Sequence, residues 1–217
     1  MAVITTPARD ELVGGRSASE KTTAGAATWW YDWVNRHRVG GAALVGVIAT
    51  QIATYFGYVF PAFGLPTLPW PLYNGILGTT FADGLNGATA TGTFDPVFAT
   101  SPGSFFTGNA LHFVNGVVFT ILYAILFLPL MRFKNTHGGN VASGVLYSVI
   151  LTVISVGVLV PYAYVPNQGY GLFLFDGPDG WKLPFAILVW HLIWGFFLGT
   201  LYQIRGANRA VVAPSEA

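Results

Sequence analysis

Charged residues and cysteine are what this chain of 217 residues lacks most clearly. Only 9% of its residues are Asp, Glu, Lys or Arg, whereas soluble domains carry roughly one quarter. The absence of cysteine excludes disulfide bonds, thiolate metal sites and cysteine nucleophiles. A formal net charge of +1 is too small to indicate a nucleic-acid partner. Since 53% of the residues are hydrophobic, the composition predicts an integral membrane protein in contact with a lipid bilayer.

The sequence also lacks the familiar catalytic motifs. It contains no P-loop, no Gly-x-Gly-x-x-Gly ahead of a helix, no Gly-x-Ser-x-Gly and no metalloprotease helix motif. We therefore assign no catalytic residue and no metal ligand, and we favour a protein that is not an enzyme.

Four apolar runs are long enough to cross a membrane. A helix rises about 1.5 Å per residue, so about 20 residues cross a hydrocarbon core of ~30 Å. Nine of the ten Lys and Arg residues lie in the N-terminal segment, the turn after the second run or the C-terminal tail. This bias predicts a multi-pass protein of the bacterial cytoplasmic membrane with both termini in the cytoplasm. The predicted spans are 40–60, 105–131, 141–160 and 183–204.

The segments outside the spans differ in composition. We expect residues 1–26 to be a flexible tail and residues 205–217 a second tail. Residues 27–39 combine aromatic and basic side chains, which is typical of a membrane interface. Residues 61–104 form a long first outer loop rich in proline and glycine. The interfacial side chains are Trp29, Trp30, Trp33, Arg36 and Arg38.

The most unusual feature is a polar motif that occurs twice inside the apolar runs. His-x3-Gly-x6-Tyr occurs at His112 to Tyr123 and again at His191 to Tyr202. An ionisable side chain within a span is costly and therefore suggests a function. Because positions i and i+4 share a helix face, a groove of small residues beginning at Gly116 and Gly195 should lie beside the two histidines.

A second similarity indicates that the whole chain is an internal repeat. Gly40-Gly41-x4-Gly46-Val47 opens the first span, and Gly138-Gly139-x4-Gly144-Val145 opens the third. We predict an all-α transmembrane four-helix bundle made of two parallel helical hairpins related by a pseudo-twofold axis. In such a bundle, His112 and His191 face one interior at similar depth.

The motif leaves three interpretations open. The histidines are neutral packing residues, bonded to Thr, Ser, Asn115 or Gln51. Alternatively, they are axial ligands of a tetrapyrrole, haem b or a chlorophyll-type pigment, with Gly116 and Gly195 giving room for the ring. A third interpretation is the passage of protons or small solutes, although no carboxylate lies in any span to complete a proton relay.

The order of these glycine and histidine motifs over residues 40–204 resembles the YagU-like family of small bacterial inner-membrane proteins. The resemblance implies a four-span membrane protein with no assigned activity. The long first loop and the aromatic N-terminal segment depart from that pattern, and added loops are often binding surfaces. Our first functional hypothesis is therefore an accessory or structural subunit that docks on a larger membrane complex through residues 61–104 and 27–39.

Overall fold

The computed structural model describes residues 29–71, 73–75, 102–132, 135–164 and 169–204. No β-strand occurs among these residues, and four helices are long and apolar enough to cross a membrane. The prediction of an all-α four-helix bundle is confirmed, and the chain is a multi-pass membrane protein. The two predicted tails and the greater part of the first loop, 76–101, lie outside the described residues.

Five helices of eight or more residues follow one another in the described parts of the chain, and residues 70–71 and 73–75 are also helical. A short helix, α1, covers residues 29–36 and leads into α2, Arg38–Val59, which ends in a 3₁₀ turn. Helix α3, Pro102–Leu122, continues as a π-helix over Tyr123–Phe127. Helix α4, His137–Ile154, also continues as a π-helix, over Ser155–Tyr164. Helix α5 is Lys182–Leu201.

Two predicted boundaries of the third span need correction. Helix α4 begins four residues earlier than expected, because the Thr136 hydroxyl accepts a hydrogen bond of 3.0 Å from the Gly139 N–H and so caps the first turn. Pro161 does not end the helix, which continues in π form to Tyr164. The changed pitch accommodates a residue that lacks an N–H and would clash in a regular α-helix. The fourth span is shorter than predicted and ends at Leu201.

The helices pack as two hairpins. Helix α2 packs against α3 to form the first hairpin, α4 packs against α5 to form the second, and α2 also packs against α5. Helix α3 approaches α4 through its π-helical continuation. We call the end with residues 29–38 and 201–204 the termini end, and the opposite end with residues 60–75 and 169–182 the loop end.

The two hairpins close through similar glycine contacts. A Cβ on Gly46 would lie 2.8 Å from the carbonyl oxygen of Gly116, and a Cβ on Gly144 would collide with the carbonyl oxygen of Gly195. Helices in lipid pack closely where small residues allow their backbones to approach. These matching contacts support the predicted repeat.

The aromatic N-terminal segment folds against the termini end. The Trp30 Nε1–H donates to the Leu201 carbonyl at 2.9 Å, and the Tyr31 hydroxyl donates to the Thr200 carbonyl at 3.2 Å. These bonds satisfy carbonyl groups at the end of α5 that have no partner within the helix. Trp29 remains 61% exposed.

The other predicted interfacial residues are also partly buried against the bundle or exposed. Trp33 is partly buried and stacks against His37 with a centroid distance of 5.2 Å. Arg36 and Arg38 are exposed. The segment therefore presents one basic face and uses its other face to close the bundle.

Candidate functional site

His112 lies on α3 at the centre of a polar network. Its side chain is buried, and its Nε2 lies 2.7 Å from the Thr54 hydroxyl on α2. The same hydroxyl donates its single hydrogen to the Thr50 carbonyl at 2.7 Å. Thr54 must therefore accept from His112, which fixes the proton on Nε2 and leaves Nδ1 as an acceptor.

Asn74, in the loop after α2, satisfies the other side of the His112 ring. Its Nδ2 donates to the Trp70 carbonyl at 2.8 Å and lies 3.4 Å from Nδ1 of His112. Its Oδ1 accepts from Asn115 at 2.6 Å and from the Tyr164 hydroxyl at 3.2 Å. Both ring nitrogens of His112 are therefore engaged, and the network is consistent only with a neutral imidazole, since a second N–H would face the donor of Asn74.

The loop reaches this position because α3 has a glycine where the chain crosses it. A Cβ at Gly108 would collide with the backbone of Pro71 and Gly75. Glycine thus allows the backbone of the loop to touch the helix, and the contact inserts Trp70 and Asn74 beside His112.

His191 on α5 has a different environment. Its Nδ1 lies 2.9 Å from the Ile187 carbonyl, which only accepts, so Nδ1 carries the proton. Its Nε2 therefore has an available lone pair, and it makes no hydrogen bond with any described residue. Burial of the side chain to 7% exposure leaves this acceptor inside the bundle.

A cavity of about 70 Å³ lies between the helices and is lined by both histidines. Its polar lining also includes Thr50, Asn115 and Ser155. A water molecule requires roughly 10–15 Å³ of such space, so the cavity holds about five non-hydrogen atoms. None of the described lining residues is acidic, and the histidines are the only basic ones among them.

An aromatic cluster covers the cavity at the loop end. Trp70 stacks edge-on against Trp190 at 5.7 Å and against Tyr164 at 6.2 Å, and Tyr73 meets Tyr164 at 6.4 Å. Burial, reinforced by the neighbouring Tyr170 and by Asp179, raises the pKa of Tyr73 to about 12. Tyr73 is therefore neutral at physiological pH and adds no charge to the cluster.

A second aromatic cluster lies on the termini side of the cavity. Tyr147 is central, with ring centroids 5.3 Å from Tyr123, 5.0 Å from Phe127 and 6.2 Å from Trp194. Its hydroxyl donates to the Phe119 carbonyl at 3.0 Å, which joins α4 to α3. Aromatic residues thus pack between the hairpins on both sides of the cavity.

Gly116 lines the cavity beside the histidines, and both Gly116 and Gly195 also lie in close helix contacts. A Cβ at Gly116 would collide with Thr50, and a Cβ at Gly195 would meet Gly144 and Ser148. The neighbouring helix fills the space in each case. Both glycines are therefore helix-packing positions in this fold.

The arrangement does not fit a tetrapyrrole held by the two histidines. The Nε2 of His112 carries a proton directed at Thr54, whereas an iron ligand needs that lone pair. Pockets for drug-sized ligands measure roughly 300–1,000 Å³, and this cavity is much smaller. Among the described residues, no group of three or more His, Cys, Asp or Glu side chains could hold a metal ion.

Two buried donors near the cavity lack partners. The Nε1–H groups of Trp70 and Trp190 are buried and make no hydrogen bond with any described residue, and other atoms of both residues line the cavity. A buried polar group without a partner is costly. These N–H groups are covered by protein atoms, whereas Nε2 of His191 is an unpaired acceptor on a residue that lines the cavity.

Sequence reasoning found the two histidines but missed most of their neighbours. Thr54 could have been predicted from the sequence, because it follows Gly46 and Thr50 at intervals of four residues and so lies on the same helix face. Trp190 and Trp194 line the cavity, although an aromatic residue within a span is more often a packing residue. Asn74 carries no signal, since its place depends on how the loop folds back.

Comparison of the chain with models of known protein families, with curated proteins and with solved structures gave no match. The resemblance to the YagU-like proteins therefore stays a prediction.

Proposed function

We propose that this membrane protein carries small uncharged polar solutes across the bilayer through the cavity between its four spans. The observation that supports this function best is the position of the cavity, which all four spans line and which lies between two aromatic clusters. Carriers hold their solute in a site between spans near the middle of the membrane.

The lining argues for an uncharged solute. An ion without a partner is costly to hold inside a membrane, and the described lining offers no opposite charge. The hydrogen bonds of His112 hold its ring neutral, and a charge on His191 without a partner would be costly at this depth. The cavity volume limits the solute to about five non-hydrogen atoms.

Solute flux into liposomes tests this function. Liposomes that contain the protein should re-swell after an osmotic shock faster than empty ones when the solute is urea or formamide, but not when it is glucose. Ser155→Trp, which places an indole in the cavity, should return the rate to that of empty liposomes. Val158→Trp is the matched control, because Val158 lies in the same π-helical segment but is 55% exposed. Equal rates with and without protein would refute the proposal.

A second candidate is an accessory subunit of a larger membrane complex. It is supported by the span that contains α3. Only 28% of the apolar stretch of this span is buried within the bundle, compared with 44–50% for the other three spans. The exposed face of α3 would contact a transmembrane helix of the partner. The described parts of 27–39 and 61–104 pack partly on the bundle itself, which favours α3 as the docking surface.

Photo-crosslinking in native membranes distinguishes this candidate. A photoreactive residue at Val118, on the exposed face of α3, should yield one discrete protein adduct. The same residue at Val158 should yield lipid adducts only. Lipid adducts at both positions would exclude docking through α3. Placement of both termini in the cytoplasm stays a prediction that reporter fusions to each terminus would test.

A further inference from the structure

We infer that the cavity selects a small neutral amide, a molecule with both an N–H donor and a carbonyl acceptor, and that Nε2 of His191 is the acceptor that recognises it. The inference rests on the proposed function for its biological role, but it concerns binding and is tested by binding.

His191 sets the first requirement, which is that the ligand must carry a hydrogen-bond donor. The Ile187 carbonyl holds the proton on Nδ1, so the lone pair of Nε2 is the only part of the ring available to a polar partner. The side chain lines the cavity and finds no other partner for Nε2 among the described residues. Burial of such an acceptor is favourable only when a donor pairs with it.

The donors near the cavity set the second requirement, which is that the ligand must carry a hydrogen-bond acceptor. The indole N–H groups of Trp70 and Trp190 are buried without partners. The ring of Trp190 lies 5.7 Å from that of Trp70 and 5.1 Å from that of His191. Protein atoms cover both of these N–H groups almost completely, so the donors that can reach a carbonyl oxygen of the ligand are the hydroxyl groups of the lining, Thr50 and Ser155. The ligand must therefore carry a donor and an acceptor within a few ångströms of each other.

Size and charge narrow the class further. Space for about five non-hydrogen atoms admits acetamide and urea but excludes a sugar. The described lining contains no carboxylate and no cationic side chain that would balance an ionic ligand. A neutral amide satisfies the size, the polarity and the absence of charge together.

Acetamide and acetone provide a matched pair of probes. They have the same shape and the same carbonyl group, and they differ only in the amino group that would donate to His191. We expect acetamide to bind to the purified protein in nanodiscs at least about tenfold more tightly than acetone, because one buried hydrogen bond is lost. Ligand-observed NMR measures both affinities, with empty nanodiscs as the blank for partition into lipid.

His191→Phe should remove the preference by weakening acetamide binding about tenfold while leaving acetone unchanged. Thr152→Val is the matched control, because Thr152 occupies α4 outside the cavity lining. Equal binding of acetamide and acetone to the native chain would overturn the inference even if His191→Phe failed to fold. A preference that persists in folded His191→Phe would also overturn it.

The two proposals fail separately. Selective acetamide binding without solute flux would refute carriage and leave the amide site standing. Flux of urea together with equal binding of acetamide and acetone would support carriage and refute the role of His191.

Discussion

The two hairpins share their helix packing but treat their histidines differently. Gly116 meets Thr50 in the first hairpin, as Gly195 meets Ser148 in the second. His112 has both ring nitrogens engaged by protein groups, whereas His191 has one nitrogen engaged by its own helix. Equivalent positions therefore hold opposite tautomers of the same side chain.

The difference arises from the loop end. The chain after α2 folds back onto α3 and inserts Asn74 beside His112, and Thr54 completes the bonds from α2. In the second hairpin Thr152 has the position equivalent to Thr54, but its hydroxyl bonds only to the Ser148 carbonyl. The two hairpins thus share their backbone contacts, while one loop engages the first histidine and leaves Nε2 of the second without a partner among the described residues.

Adding a methyl group at the paired glycines should have the largest effect and tests the similarity of the hairpins. Gly195→Ala should destabilise the fold by about 3 kcal/mol, because the new Cβ meets the backbone of Gly144, and overpacking costs roughly 1–3 kcal/mol or more. Gly116→Ala should cost less, since its closest neighbour is the Thr50 side chain. Thermal unfolding in detergent measures both.

The glycines Gly40 and Gly138 are the controls for this comparison. They occupy equivalent positions at the start of α2 and α4, and a Cβ on either meets nothing within 4 Å. Alanine there should leave stability unchanged or raise it slightly, because glycine in a helix is unfavourable by roughly 0.5–1 kcal/mol. A loss of stability at Gly40 or Gly138 equal to that at Gly195 would contradict the packing account.

Replacing each histidine with phenylalanine should reduce the stability of the fold by different amounts in the two hairpins. His112→Phe leaves the donor of Asn74 and the hydroxyl of Thr54 without their partner, and we expect a loss of about 2 kcal/mol. His191→Phe removes a single bond to the Ile187 carbonyl, so its loss should be about 1 kcal/mol or less. Urea-gradient or thermal unfolding compares them. A greater loss from His191→Phe would mean that the second histidine, not the first, holds the bundle together.

A smaller contrast is expected between the equivalent threonines. Thr54→Val removes the acceptor of the His112 proton and should cost about 1 kcal/mol. Thr152→Val removes only a bond to its own helix and should have almost no effect. Equal losses in unfolding measurements would show that His191 also depends on its neighbouring threonine.

The fold was predictable because its signals are local. Four apolar runs and the basic residues beyond them identify the spans, and the glycines at Gly46 and Gly144 identify the close helix contacts. The π-helical continuations were not predictable, because their wider pitch depends on packing between helices. Pro161 led to a wrong helix end in the prediction, because proline usually ends a helix.

The site was predictable only in part. Burial of His112 and His191 follows from a polar residue repeated inside apolar runs. Their unequal bonding does not follow, because Asn74 lies 38 residues from His112 along the chain and no periodicity relates a loop to a helix. The position of Trp70 beside the cavity was not predictable either, because an aromatic residue near proline is also typical of an interfacial loop.

The contrast between the tautomers should appear in nitrogen NMR even without any change in stability. In protein labelled with ¹⁵N-histidine, His112 should carry its proton on Nε2 and His191 on Nδ1, because Thr54 accepts from the first and the Ile187 carbonyl accepts from the second. Single substitutions of the four histidines assign the signals. Added acetamide should shift Nε2 of His191 and leave both nitrogens of His112 in place. The same tautomer at both positions would remove the distinction between a structural and a ligand-binding histidine, and the two hairpins would then be equivalent in chemistry as well as in packing.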